Sequence, residues 1–247
     1  MLGVTSTLSS PPLVDLTLFT SRIFAGANIV TLLSTAVMCS LFFFLALYLQ
    51  TVVGLTALES GATLLPLTLT IIVVAPLAGQ LGDRIGNRLL VVTGMVILAG
   101  GLFGLSWLGT VTNIPSLMAW LAVIGLGIAL ARTPTTTLAL GSANDGAFGT
   151  AAGIFNTFQA AGLALGISLM GLILTSFGPG VAYGPEQSAA HDAAFITGFS
   201  TALSINSAVA LAAAGVAFVM LRPSRKAPPH GGPPTPDPTP SVRVSTG

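Results

Sequence analysis

Two groups of residues in this chain have types and spacings that could do chemistry. The first is GQLGDRIGNR, Gly79 to Arg88, which places Asp83, Arg84 and Arg88 within six positions of a sequence that is only 6 % charged. An aspartate there can accept hydrogen bonds from the amino terminus of a neighbouring helix, and arginines can anchor a loop to a charged surface. Gly79 and Gly86 permit close approach and a tight reversal. The second group is Arg132, Asn156 and Gln159, set inside long apolar runs. Polar groups in such surroundings either bond to another helix or line an aqueous path. Beyond these, no carboxylate pair, metal-ligand cluster or nucleophile with a base can be assembled, so no catalytic residue, metal site or cofactor is expected and an enzyme is not. His191 and His230 fall outside the apolar runs. The single Cys39 sits within one and reads as a small buried hydrophobe, with no internal disulfide available to it.

Composition identifies the solvent that surrounds these groups. The 247 residues are 53 % hydrophobic and 6 % charged, against about 25 % charge in ordinary soluble domains. There are too few polar residues to coat a soluble core of this size, so the lipid bilayer is the first partner expected. A net charge of +1, without a basic stripe or interleaved arginines and aromatics, gives no reason to expect nucleic acid. The first twenty residues hold no Lys or Arg, so the basic start of a secretory signal is missing and delivery is expected to rest on the first span.

A bilayer core takes about 20 apolar residues per helix, and six runs qualify. They are approximately Ala25–Gln50, Ala57–Leu81, Leu89–Leu108, Ser116–Leu140, Gly149–Phe177 and Phe195–Leu221. Thr56 and Glu59 have capping-box spacing, Gly86 is placed to end a turn, and Asn87, Asn113 and Asp192 stand where helix caps are expected. With a cytoplasmic amino terminus, all eight basic residues fall on or toward the cytoplasmic side: Arg22, Arg84, Arg88, Arg132, Arg222, Arg225, Lys226 and Arg243. The opposite loops hold Glu59, Glu186 and Asp192 and no Lys or Arg, as the positive-inside rule requires. A multi-pass cell-membrane protein with both termini cytoplasmic follows. The expected division is a cytoplasmic lead-in over 1–24, a six-helix transmembrane bundle over 25–221 and a disordered tail over 222–247. That tail carries eight of the sixteen prolines.

The Gly79–Arg88 loop also resembles the short cytoplasmic-loop motif of the major facilitator superfamily, position by position at Gly79, Leu81, Asp83, Arg84, Gly86 and Arg88. Gly82 replaces the usual alanine and Asn87 stands at a place that is often basic. The stretch Pro12-Leu13-Val14-Asp15-Leu16 with Leu18-Phe19 and Arg22-Ile23-Phe24 is similar to the lead into the carboxyl-terminal half of fourteen-helix drug:proton antiporters. Leu47-Tyr48-Leu49-Gln50, with Gly54, Ala57, Gly61 and Leu65-Pro66, looks like the next part of that branch. Asn156-Thr157 with Gly162 and Gly166 looks like its late asparagine and paired-glycine stretch, with Gln159 and Ala160 departing from the usual arginine and glutamine. The resemblance implies an all-α integral membrane fold, the carboxyl-terminal six-helix bundle of a major facilitator fold. It also implies a conformational latch at Gly79, Asp83, Arg84, Gly86 and Arg88, where a plain positive-inside anchor is the alternative.

Arg132 lies about eight residues from the cytoplasmic end of its run, a depth of about 12 Å at 1.5 Å per residue. It reads either as a snorkelling anchor or as a cavity-lining group. Thr133, Pro134 and Thr135 to Thr137 follow it, so a bend is expected there, with hydroxyls satisfying freed carbonyls. Pro66, Pro76, Gly125 and Gly127 are further points where helices could flex. Gly162 and Gly166 are spaced for close helix packing, and Asn156 and Gln159, three apart, share a face and are possible cavity-lining residues.

No acidic residue lies in the middle of a span, so a proton relay is absent from these residues. In the resembled antiporters the coupling carboxylates lie mainly in the amino-terminal half. The resemblance implies one half of a proton-coupled multidrug efflux transporter, working with an amino-terminal transporter half or a second copy, and by resemblance only its substrates are small, amphipathic and cationic. Two other readings stand beside it: an independent six-span homodimeric pore, and a nonfunctional remnant of a truncated gene.

Overall fold

Six apolar runs become six helices. The computed structural model describes residues 20–107, 114–142, 148–176 and 189–221. The helices are α1 (Arg22–Thr51), α2 (Ala57–Ile85), α3 (Asn87–Trp107), α4 (Ile114–Gly141), α5 (Phe148–Ser176) and α6 (Ala189–Met220). Among the described residues there is no strand, and all six helices carry a stretch long and apolar enough to cross a membrane. Even α3, with 21 residues, is about 31 Å long at 1.5 Å per residue, the thickness of the hydrocarbon layer.

The ends are set by local chemistry. The Thr56 hydroxyl accepts from the Glu59 N–H at 3.3 Å, and the Glu59 carboxylate accepts from the Thr56 N–H at 2.9 Å. Both donors lie at the start of α2, where no intrahelical partner exists, so the expected capping box forms. Gly86 ends α2 at φ 93°, a left-handed value that a side chain resists, which permits the reversal into α3 with one intervening residue. Two expected caps are corrected. Asn87 is the first residue of α3 and its side chain packs over Gly82. Asp192 lies inside α6, which begins at Ala189 with two alanines that favour helix. Asn113, the Pro12–Phe19 stretch and the tail from 222 lie outside the described residues.

The helices form two layers. Contacts run α2 to α4, α4 to α1 and α1 to α5, giving a front layer in that order, while α3 and α6 pack on each other and behind α4 and α1. Lipid tails are as apolar as leucine, so hydrophobicity gives little preference for helix over lipid. Close backbone contact and polar bonds must select the arrangement. Gly94 and Gly127 meet across α3 and α4, where a Cβ on Gly94 would sit 2.6 Å from the Ala131 nitrogen. Gly125 abuts the Leu67 carbonyl of α2. Gly162 and Gly166 lie on the α1 backbone at Leu32 and Ala36, the close packing expected of that pair. Gly125 and Gly127 thus serve close contact, and α4 continues as helix through Pro134.

Polar bonds tie α6 to the front layer and to its rear neighbour α3. Asn206 of α6 donates to the Ser40 hydroxyl of α1 at 2.8 Å, and the Ser207 hydroxyl donates to the Ala99 carbonyl of α3 at 2.8 Å. Each such bond contributes about 0.6 kcal/mol in a membrane protein. Between them sits a core of Leu41, Leu45, Met95, Leu98, Leu121 and Leu203, all essentially inaccessible.

Candidate functional site: a cationic front face and the α2–α3 turn

The turn between α2 and α3 separates the charged residues of the GQLGDRIGNR loop by role. A Cβ on Gly82 would strike the Asn87 side chain, so the two departures from the family pattern are one packing unit: the alanine is missing where the asparagine fills its space. Arg88 reaches across the rear layer. Its guanidinium donates to the Phe218 carbonyl and lies 4.5 Å from the centre of the Phe218 ring, so a cation satisfies a carbonyl at the end of α6. Asp83 and Arg84 are exposed, and their side chains bond to no other described residue. A Cβ on Gly79 would meet only the Thr133 methyl beyond its own helix, at an ordinary 3.8 Å, so no close approach requires glycine there.

Arg132 stands on the front layer. On α4, Gly125 and Thr133 meet α2, while Ile128 and Ala131 line the junction with α1 and α3; Arg132 lies on the arc between and is exposed. Its guanidinium reaches the Met38 sulfur at 3.7 Å. Met38 is sixteen residues after Arg22 and thirteen before Thr51, close to the midpoint of α1. The charge therefore lies level with the middle of α1. No described carboxylate pairs with it. Beneath it a cavity of about 20 Å³, bordered by Ser34, Met95 and Leu98, has room for one water. The hydroxyls of Thr135, Thr136 and Thr137 donate back to the carbonyls of Ala131, Arg132 and Thr133 at 2.7, 3.1 and 3.2 Å, and not to the Leu130 carbonyl that Pro134 deprives of its N–H, which is the one they were expected to satisfy.

Asn156 and Gln159 lie eight and eleven residues after the first residue of α5, as Arg132 lies nine before the last of α4. Asn156 is exposed, Gln159 is half-buried, and neither side chain bonds to a described residue. Leu165 and Leu169 of α5 border α6, and Gly162 and Gly166 meet α1. That leaves Asn156 on the remaining, front side of the helix, with Gln159 between it and α1. The structure thus puts Arg132, Asn156 and Gln159 on one layer face, but the Gly79–Arg88 turn at its end.

Sequence reasoning missed two polar residues. Asn206 borders an apolar cavity of about 240 Å³ between α1, α5 and α6 besides bonding Ser40. It lies among Ser204 and Ser207 inside an apolar run, the same signal that drew attention to Asn156. Asn28 is fully buried, donates to the Phe24 carbonyl at 2.8 Å and leaves its own side-chain oxygen unpaired. Among the described residues no group of His, Cys, Asp or Glu could hold a metal.

The chain is similar to known membrane transporters. Residues 5–167 match the sequence profile of the Major Facilitator Superfamily. The tetracenomycin C resistance and export protein of Streptomyces glaucescens is 29 % identical across 97 % of this chain and 51 % of its own length. The multidrug transporter protein MdtP of Bacillus subtilis is 30 % identical over 67 % of this chain and 30 % of its own. The multidrug resistance protein Stp of Mycobacterium tuberculosis is 32 % identical over 68 % and 31 %. The chain spans about half, or less, of the length of these curated relatives. A profile match across two-thirds of the sequence, on a bundle of six apolar helices, places the chain in the major facilitator superfamily of membrane transporters.

Proposed function

We propose that this chain is one half of a drug-efflux transporter, its α2–α4–α1–α5 layer forming one wall of a water-filled cavity. The observation that supports this most is Arg132. An arginine at the middle of a helix exposed to hydrocarbon costs about 2.5–3.5 kcal/mol on insertion scales, and this one reaches toward the midpoint of α1 with no carboxylate beside it. A face that carries such a charge belongs against water or an opposite charge. The other wall is an amino-terminal six-helix bundle, from an upstream part of the same polypeptide or from a second chain. Relatives named for multidrug transport and for tetracenomycin C export support amphipathic small molecules as substrates. Coupling to protons requires acids from the other bundle, because α1 to α6 hold no carboxylate at mid-depth. Both termini are cytoplasmic by the distribution of basic residues. Asp83, with Arg84 and the Gly86 turn, latches the two halves in one access state, while Arg88 fastens α3 to α6. A homodimeric pore has less support, since Gly162 and Gly166 are taken up inside the bundle by α1.

The test is dye efflux by the assembled transporter carrying Arg132→Leu or Asp83→Ala, with membrane protein level measured alongside. The expected result is efflux reduced at least tenfold at unchanged level, the size of effect a lost charged contact of roughly 1.5–3 kcal/mol produces. Full efflux by Arg132→Leu, at equal or higher level, would place that face against lipid and remove the cavity reading.

A further inference from the structure

Resting on the cavity reading, we infer that Arg132 makes this wall select amphipathic molecules carrying an anionic oxygen, and discriminate against the lipophilic cations that the family resemblance leads one to expect. Among the described residues the front layer has one charge near mid-depth, and it is positive. Asp83 and Glu59 lie in the end turns of α2, and the polar neighbours on the front face, Asn156 and Gln159, are neutral. The guanidinium is exposed and touches only a thioether among polar partners, so its remaining N–H donors face the open side. A planar fork of donors in a partly dehydrated site matches a carboxylate or phenolate in two parallel bonds and repels a cation. Met38 beside it, with the half-buried Cys39 next along α1, supplies apolar surface for an aromatic body. The ligand is thus an aromatic or polycyclic acid, its oxygen on Arg132 and its rings along α1.

Cys39 reports on this site directly, being the chain's only cysteine and lying within electrostatic reach of Arg132. The assembled transporter, with the other bundle made cysteine-free, is placed in vesicles and Cys39 is alkylated with a hydrophilic maleimide. Two ligands of matched ring and opposite charge compete, 1-pyrenebutyrate and 1-pyrenemethylammonium. The expected result is strong protection by the anion and weak protection by the cation. Arg132→Gln raises the half-protecting concentration of the anion about tenfold and changes that of the cation less than about twofold, and Arg132→Lys falls between. Equal protection by both ligands in the natural chain overturns the inference. So does an equal loss for both in Arg132→Gln, which would mean that Arg132 pairs with a carboxylate of the other bundle and shapes the cavity. If the maleimide never reaches Cys39, the cavity reading itself fails, an outcome distinct from loss of charge selection.

Discussion

At the scale of single residues, the cations divide by what they touch. Arg88 holds the Phe218 carbonyl and ring, 130 positions away in sequence, and so stabilises the last turn of α6. Replacing it with glutamine removes the charge and the ring contact, a loss of about 1–2 kcal/mol. Amide exchange at the end of α6 should accelerate roughly tenfold while that of α2 stays as it was; unchanged exchange there would show that the contact contributes nothing. The sequence made Arg88 conspicuous but not its partner, because spacing within a loop carries no information about which helix end lies beside it. Arg132 is similar. Its depth was legible, but whether its side chain runs to the cytoplasm or toward Met38 depends on a rotamer set by packing. The Gly82 and Asn87 departures looked unrelated in sequence, and contact joins them.

At the scale of elements, much was legible. All six helices fall within a few residues of their apolar runs, and the Thr56 and Glu59 box starts α2 as its spacing requires. These features are local, fixed by run length and by unpaired groups at a helix start. The expected caps at Asn87 and Asp192 failed because the helices begin earlier than the apolar runs do. The glycines of α5 give the sharpest element-scale prediction. A leucine at Gly166 would drive into the Ala36 backbone, separating α1 from α5 and costing about 1–3 kcal/mol. Its unfolding midpoint in detergent should fall clearly, whereas Gly79→Ala, which meets only ordinary contact, should stay within about 0.5 kcal/mol of the natural chain. Similar midpoints for both would contradict the close α1–α5 contact.

At the scale of the whole molecule, the layer order was not readable. A helix that faces protein on one side and lipid on the other is apolar all round, so no stripe marks its buried face. Only contacts establish that α3 and α6 lie behind and that Arg132, Asn156 and Gln159 share the front. The central claim is that this front is wet. A nitroxide attached to Cys39 in the assembled transporter, compared with one at Leu211→Cys on α6 in a Cys39→Ser background, tests it through collisions with a water-soluble nickel chelate and with oxygen. Leu211 is exposed on a rear helix and should behave as a lipid-facing site. The account predicts that the nickel chelate dominates at Cys39 and oxygen at Leu211. Oxygen dominating at both would mean that the Arg132 face meets the bilayer and that the chain does not build one wall of an aqueous pathway.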